Sequence, residues 1–235
     1  MISIKKLHKK YGKLEVLKSI DLNFEDSGIH TILGPNGSGK TTLMKAILGM
    51  VIPNDGSIEF NNKPILGEWE YRKDIAYLPQ IAHFPQNLKV QELLNMLKDI
   101  RPGAVREAEL ISLFQIKPFL NKKLGNLSGG TAQKVNIIIA LMFDSPLILM
   151  DEPTVGLDPI SLIRLKKLIL DEKSKGKLIL ITTHIISFVE EVSDRIVFIL
   201  DGNIYFNGTI DTLKKQTNQK NLENAIANIL EKTNV

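Results

Sequence analysis

The sequence predicts an α/β fold in which a helical insertion interrupts a parallel sheet. Residues 147–150 and 178–181 are apolar throughout, which is typical of strands that are buried on both faces of a parallel sheet. A helical pattern at 159–175 lies between them, with Asp158 as its N-cap, Pro159 in its first position and Gly176 as its C-terminal stop. Strand, helix and strand at this spacing indicate an α/β core.

The other elements are predicted from short apolar segments and from helical spacing. Further strands are expected at 2–7, 21–24, 29–33, 57–60, 75–78 and 195–200. Helices are expected at 41–50, 88–97, 107–114, from 129 to about 142, and twice after Gly208, while Asp201-Gly202 fits a hairpin turn. The last helix carries an apolar stripe that docks either on the chain's own core or on a partner: Leu222, Ala225, Ile226, Ile229 and Leu230.

The chain contains no repeat and no linker, so one continuous domain is predicted over residues 1–235. Its helical subdomain is expected at about 82–143, and a hairpin with terminal helices at about 203–235. The 235 residues are 43% apolar and 24% charged, which is ordinary for a globular protein.

Composition also excludes several classes of function. The chain has no cysteine, which rules out disulfide frameworks, thiolate zinc sites and cysteine nucleophiles. It has neither a signal-peptide pattern nor an apolar run of the roughly 18 residues that a spanning helix requires, so it is not expected to cross a membrane by itself. The net charge of +4 is mild for a nucleic-acid binder, and direct binding of nucleic acid is not expected.

A group of five lysines lies near the N-terminus. It is either a solvated face or a patch that binds phosphate or acidic lipid: Lys5, Lys6, Lys9, Lys10 and Lys13.

A glycine-rich loop follows the strand predicted at 29–33. Thr42 follows the loop, in the helix that the loop opens. The loop matches the G-x-x-x-x-G-K-[ST] pattern at every fixed position: Gly34-Pro35-Asn36-Gly37-Ser38-Gly39-Lys40-Thr41. Glycines let backbone N–H groups turn towards a polyphosphate, and the helix N-terminus adds its positive end. Lys40 can reach the β- and γ-phosphates, and the Thr41 hydroxyl can bind Mg²⁺. The loop therefore predicts a nucleotide-binding site.

Two carboxylates follow the strand predicted at 147–150. Asp151 at the carboxyl end of a buried strand can hold Mg²⁺ beside the phosphate loop, and Glu152 can polarise an attacking water as a general base. Two acids before Pro153 are, on their own, more often a plain strand boundary. The functional interpretation depends on the phosphate loop.

The segment Leu127-Ser128-Gly129-Gly130 resembles the signature of ABC (ATP-binding cassette) ATPases. It lies about 90 residues after the phosphate loop and before the acid pair, and over its full length the chain resembles the nucleotide-binding subunit of an ABC transporter. The resemblance implies a P-loop NTPase core, with a RecA-like parallel sheet and an antiparallel β region, and a helical subdomain that bears the signature. Thr131 stands where the family pattern has Gln, a departure that bears on the rate of hydrolysis more than on binding.

The resemblance also implies a site shared between two subunits. ATP lies between the phosphate loop of one copy and the signature of the other, where Ser128 and Gly130 contact the γ-phosphate. Tyr11 matches the family residue that stacks on adenine. Gln80 matches the glutamine that contacts Mg²⁺, and His184 matches the switch histidine that contacts the γ-phosphate. Asp158 matches the loop that crosses the dimer interface, and it fits a helix N-cap equally well.

The implied function is Mg²⁺-dependent ATP hydrolysis in a head-to-tail dimer of this chain, or of this chain with a paralogous ATPase. The dimer drives a separate membrane permease from the cytoplasmic face of the cell membrane. In the family, a groove between the core and the helical region takes a cytoplasmic helix of the permease. The segment Ile81 to Gln91 either lines that groove here or is ordinary packing.

Two resemblances point to a branch of the family. The Val155 to Asp158 segment and the 221–225 segment resemble separately encoded ATPases of exporter-type or multidrug-type permeases. The segment 75–81 followed by Phe84-Pro85 resembles the ATPase of the nitrous oxide reductase maturation system. Two alternatives remain: a soluble ABC ATPase that acts on nucleic acid or ribosomes, and a regulatory subunit with little hydrolysis.

Overall fold

The computed structural model describes residues 2–24, 27–101, 103 and 105–233. The strands are β1 (Ile2–Tyr11), β2 (Leu14–Phe24), β3 (Gly28–Leu33), β4 (Asp55–Phe60), β5 (Lys63–Pro64), β6 (Ile75–Leu78), β7 (Leu147–Asp151), β8 (Leu178–Thr183), β9 (Arg195–Leu200) and β10 (Asn203–Gly208). The helices are α1 (Lys40–Ile47), α2 (Val90–Ile100), α3 (Glu107–Leu113), α4 (Gly129–Leu141), α5 (Pro159–Ser174), α6 (Ile186–Val192), α7 (Ile210–Thr217) and α8 (Leu222–Thr233).

The strands of these residues form two sheets. The larger has the order β10-β9-β3-β8-β7-β6, in which all neighbouring pairs are parallel except β9 with β10. The smaller is antiparallel, with the order β2-β1-β4-β5. The α/β architecture with a parallel sheet and an antiparallel region is therefore the one that the sequence predicts.

The register of the parallel sheet brings the ends of four strands together. Leu33 pairs with Thr183, Asp151 with Thr182, and Leu78 with Met150. In an open parallel sheet, ligands bind at the carboxyl edge. The loops that follow β3, β6, β7 and β8 all leave the sheet at this edge, so a ligand-binding site is expected there.

Two apolar cores cover the faces of this sheet. One packs α1 and the antiparallel sheet against β7, β8 and β9. The other packs α2, α3, α4 and α5 against the opposite face, with Val135, Ile138 and Leu141 of α4 fully buried or nearly so. The helix that begins after Ser128 is thus fixed to the sheet by its apolar residues.

The terminal helices pack on the chain itself. Leu222, Ala225 and Ile226 are buried in a third core with residues of α6, β9 and β10, and Ile229 and Leu230 pack against its margin. The alternative of docking on the chain's own core is the one the structure shows. Asp201 and Gly202 both have positive φ between β9 and β10, as the predicted hairpin turn requires.

Several boundaries differ from the sequence prediction. The helix predicted at 41–50 ends at Ile47, because Gly49 adopts a φ of +65° directly after the cap. The α6 helix was not predicted. It is only seven residues long, and it buries Phe188, Val189 and Val192, so tertiary packing stabilises a helix too short to be stable alone.

A buried ion network joins the start of α3 to α5. Glu172 is fully buried and binds Arg106 at 2.7 Å, Lys175 at 2.7 Å and Lys177 at 2.6 Å. Arg106 also donates from Nε to the Leu141 carbonyl, at the end of α4. Burial alone would raise the pKa of Glu172, but hydrogen bonds from Lys175 and Lys177 and the charge of Arg106 lower it to about 2.

Glu172→Gln is expected to destabilise the fold by roughly 3 kcal/mol at pH 7, because it removes a buried carboxylate with a depressed pKa and leaves Arg106 without that ion pair, while Lys177 keeps its pair with Asp144. The stabilisation is fully present above the ordinary Glu pKa of 4.5 and is lost as pH falls towards 2. Urea unfolding at pH 7 and at pH 3 measures both effects. Glu191→Gln, which breaks an ion pair whose carboxylate is exposed, is the control. Equal losses in the two variants would contradict this account.

Candidate functional site

A cavity of about 440 Å³ opens at the carboxyl edge of the parallel sheet. Most of the residues that line it were predicted from the sequence: Asn36, Gly37, Gly39, Lys40, Thr41, Thr42, Gln80 and Glu152. Leu14 and Val16 of β2 complete the wall and were not predicted. The phosphate loop, Gln80 and Glu152, which are far apart in sequence, therefore face one cavity.

The phosphate loop is closed tightly against the core. A Cβ on Gly34 would lie 2.1 Å from the Ile199 carbonyl oxygen, so only glycine fits at the first position of the loop. Lys40 folds back over the loop and donates from Nζ to the carbonyl oxygens of Gly34 (2.8 Å) and Pro35 (2.9 Å). Burial lowers the pKa of Lys40, and the negative charges of Glu152 and Asp151 oppose that shift.

Among the residues that the structure describes, the Ser38 hydroxyl in the phosphate loop and Oε2 of Glu152 are buried without a hydrogen-bond partner, as is the Thr154 hydroxyl. A buried polar atom is normally paired, and one left unpaired at a cavity indicates a missing ligand or water. Glu152 lines the cavity, so its Oε2 fits a site that is completed by a polar ligand.

Asp151 lies at the end of β7, where it is 1% exposed. Its Oδ1 accepts from the Thr41 hydroxyl at 3.2 Å and from the Thr182 hydroxyl of β8. The donor set of Thr41, Asp151 and Gln80 is entirely oxygen, which suits Mg²⁺ held partly by phosphates and water. Sequence reasoning missed Thr182, although its place at the end of a parallel strand beside Asp151 was the available signal.

Glu152 is held in an unusual conformation beside Lys40 and His184. Its φ of +47° is in the left-handed region, which costs a non-glycine residue roughly 1–2 kcal/mol and is found at functional sites. Its N–H donates to the Thr182 carbonyl at 3.0 Å. Oε1 lies 2.9 Å from His184 Nδ1 and 3.9 Å from Lys40 Nζ. The strained backbone thus points a carboxylate at the phosphate loop.

Tyr11 lies outside the wall of the cavity. It is 49% exposed at the end of β1, and its ring lies 5.0 Å from Lys9 Nζ. Its partner across the hairpin is Leu14, which does line the cavity. Tyr11 is therefore close to the opening and free to contact a ligand.

The signature segment forms the N-terminus of α4. Ser128 is the N-cap, and its Oγ accepts from the Thr131 N–H and lies 2.9 Å from the Thr131 hydroxyl. Leu127 packs on the helical core. Gly129 has open space around it, whereas a Cβ on Gly130 would lie 2.8 Å from the Gly156 carbonyl oxygen. Within the part of the chain that the structure describes, the cavity has no lining residue from 127–131.

Asp158 caps the next helix and contacts the signature helix. Its carboxylate accepts from the Ser161 N–H (2.9 Å) and Oγ (2.8 Å), and it pairs with Lys134 of α4 at 2.7 Å. The hydrogen bond from Lys134, followed by those from Ser161, holds the pKa of Asp158 well below its usual range. The capping role predicted for Asp158 is the one this structure contains.

The fold and the site define a P-loop nucleoside triphosphatase: a glycine-rich loop between a buried strand and a helix, a lysine over the loop, and an acid pair on a neighbouring parallel strand. A family model described as "ABC transporter" matches residues 17–155. The chain is 35% identical over 220 residues to the lantibiotic transport ATP-binding protein SrtF of Streptococcus pyogenes, covering 90% of this chain and 92% of that protein. It is 32% identical to the L-cystine import ATP-binding protein TcyC of Bacillus subtilis, covering 88% and 90%.

Solved structures agree with this assignment. An ATP-binding subunit of an ABC transporter superposes with a TM-score of 0.90 and 28% identity, covering 98% of this chain and 99% of that one. A dimeric cassette in a post-hydrolysis state, bound to ADP and Pi, superposes with a TM-score of 0.77 and 28% identity, covering 89% and 98%. This chain belongs to the ABC transporter family. It is an ATP-binding and ATP-hydrolysing subunit that uses ATP and Mg²⁺.

Proposed function

We propose that the chain works as one half of a head-to-tail motor whose two ATP sites each combine the phosphate loop of one subunit with the signature of the other. The single observation that carries this proposal is the position of Ser128. Ser128 is the N-cap of α4, so its hydroxyl and the first N–H groups of the helix lie together at the helix N-terminus. The N-terminus of a helix can bind a phosphate. No residue of 127–131 lines the chain's own described cavity, so a second subunit is needed to bring the two together.

The residues of the cavity divide the chemistry among themselves. Lys40 and the backbone N–H groups of residues 34–42 bind the phosphates and stabilise the charge that develops on the γ-phosphate. Glu152 orients the attacking water and accepts its proton, and the free Oε2 is available for that hydrogen bond. His184 holds Oε1 of Glu152 and faces the γ-phosphate. Tyr11 stacks on the adenine.

Thr41, Asp151 and Gln80 are the residues proposed to hold Mg²⁺. When bound, this ion neutralises phosphate charge during transfer. Asp151 lies behind the wall of the cavity, where Thr41 and Thr182 orient it, while Thr41 and Gln80 line the cavity itself. A loop such as the one around Gln80, held at one end by β6, can report the state of the site to a partner.

The proposed domain division is one ABC ATPase domain over 1–235, with a helical subdomain at about 82–143 and a terminal hairpin and helices at about 203–235. Asp158 is proposed to lie at the dimer interface, where its pairing with Lys134 already ties it to the signature helix. The second subunit is another copy of this chain or a paralogous ATPase.

The permease is proposed to hold the chain at the cytoplasmic face of the membrane. Among residues 2–24, 27–101, 103 and 105–233, no helix combines the length and apolar character needed to span a bilayer. In the proposed groove at 81–91, Phe84 and Leu88 pack on the chain's own helical core, while Ile81 is 68% exposed and available to a partner. The names of the relatives, one for lantibiotic transport and one for L-cystine import, favour a transport role.

Gentle pull-down of Glu152→Gln protein from its source cells, with ATP and Mg²⁺ throughout, tests the transport role. We expect a polytopic membrane protein to co-purify, because an arrested ATP-bound motor stays engaged with its permease. Glu223→Gln, at an exposed position on α8, is the matched control that still turns over ATP. Recovery of ribosomes, nucleic acid or only a second ATPase subunit would favour the soluble or regulatory alternatives.

A further inference from the structure

Two buried amide side chains on α4 connect the loops that carry Gln80 and Glu152. Asn136 donates from Nδ2 to the Pro79 carbonyl oxygen at 3.0 Å and to Gln133 Oε1 at 3.3 Å. Gln133 donates from Nε2 to the Pro153 carbonyl oxygen at 3.4 Å. Pro79 directly precedes Gln80, and Pro153 directly follows Glu152. One helix therefore holds the backbone on the Gln80 side and on the Glu152 side of the cavity.

These bonds are made in the protein interior. Asn136 is 3% exposed and Gln133 is 8% exposed. A buried carbonyl oxygen needs a donor, and leaving one unpaired is unfavourable. β6 and β7 are parallel neighbours, with Leu78 paired to Met150, so Pro79 and Pro153 both follow strands that end at the same edge of the sheet, and α4 reaches both carbonyls.

The arrangement depends on the NH₂ group of Asn136. An amide nitrogen carries two hydrogens, and here one goes to Pro79 and the other to Gln133. The second bond fixes the Gln133 oxygen, so that the Gln133 nitrogen faces Pro153. A side chain at 136 without an NH₂ group removes the support of the Pro79 carbonyl and releases Gln133 from its orientation.

The same helix begins at the signature. Ser128 caps α4 two turns before Asn136, and apolar residues between them and beyond fix α4 to the sheet. The helix that carries Asn136 and Gln133 therefore has the signature at its N-terminus.

We propose that Asn136 is a positioning residue for ATP hydrolysis, acting with Gln133 to set the positions of Gln80 and Glu152 relative to the phosphate loop. This inference rests on the roles proposed above for Gln80 and Glu152. Asn136 itself contacts neither the cavity nor a reacting atom. Its effect is on the geometry of the groups that do.

The first test is Asn136→Ala, with steady-state hydrolysis of MgATP as the measurement. We expect kcat to fall roughly ten- to a hundredfold with KM for MgATP nearly unchanged, because misplacement of a reacting group by about 1 Å has an effect of this size. Val135→Ala removes a neighbouring fully buried side chain of α4 that has no hydrogen-bonding atom, and it should keep kcat. Asn136→Leu, which has a similar shape and no NH₂ group, gives the same test if the alanine variant is unstable.

A double-mutant cycle with Gln80→Ala separates positioning from general destabilisation. If Asn136 acts through the loop of Gln80, then Asn136→Ala should lower kcat much less in the Gln80→Ala background than in the wild type. Full kcat in Asn136→Ala and Asn136→Leu, or the same loss in Val135→Ala, would overturn the proposal. An unchanged additional loss in the double variant would overturn the part of it that runs through Pro79 to Gln80.

The cycle also distinguishes failure of this inference from failure of the proposed function. Full kcat in Gln80→Ala would reject the role of Gln80, and with it the part of this inference that runs through Pro79. Reduced kcat in Gln80→Ala together with full kcat in Asn136→Ala would keep the proposed function and reject the inference alone.

Discussion

In the Glu152→Gln variant, kcat for ATP hydrolysis is expected to fall by about a thousandfold, while MgATP still binds. The reason is that an amide cannot accept the proton of the attacking water, and general-base catalysis contributes about 10²- to 10⁴-fold. Such a loss corresponds to about 4 kcal/mol of transition-state stabilisation. Steady-state release of phosphate and equilibrium binding of MgATP measure the two parts of this expectation.

The geometry makes the substitution informative. Glutamine keeps the size of Glu152 and can still contact His184 Nδ1, so the left-handed backbone and its bond to the Thr182 carbonyl are retained. Glu223→Gln makes the same chemical change at an exposed position and should turn over ATP like the wild type. Hydrolysis by Glu152→Gln at the wild-type rate would show that Glu152 is not the base.

Lys40→Ala is expected to raise the Kd for MgATP by about a hundredfold, which corresponds to about 2.8 kcal/mol. A hydrogen bond to a charged group contributes about 1.5–3 kcal/mol, and Lys40 has the position to reach the phosphates from the loop that it covers. The change also removes the donor of the Gly34 and Pro35 carbonyls, so the loop loses part of its fixed shape. Titration calorimetry with MgATP measures the effect.

Lys45→Ala is the matched control for this prediction. Lys45 is an exposed residue in the last turn of the same helix, and its removal should leave Kd within about twofold. An equal Kd for Lys40→Ala and the wild type would contradict the assignment of the loop as the phosphate site.

The site was predictable wherever the chemistry requires contiguous residues. The phosphate loop must be continuous to wrap a polyphosphate, and the acid pair must end a buried strand, so both can be read as local patterns. The α/β class followed from strands that are apolar throughout, since only burial on both faces explains them. The cap at Ser128 and the turn at Asp201-Gly202 are likewise set by local backbone chemistry.

What the sequence left open depends on the register of distant segments. Thr182 orients Asp151 only because β7 and β8 pair with Asp151 opposite Thr182. Val16 reaches the cavity because β2 passes beside the phosphate loop, and Arg106 meets Glu172 only after α3 and α5 pack. A polar residue in a helix, such as Asn136, gives no local signal of the carbonyl that it will meet.

The mass of the Glu152→Gln protein in solution, measured by light scattering with MgATP, tests the composite site most directly. The proposal predicts a dimer of twice 26.3 kDa with MgATP and a monomer with MgADP. Adding Ser128→Arg should abolish the dimer without weakening binding of MgATP to the monomer. Thr209→Arg, which removes an equivalent N-cap from α7, should leave the dimer intact. A species of 26.3 kDa in saturating MgATP, or a dimer that survives Ser128→Arg, would contradict a site shared between two copies of this chain.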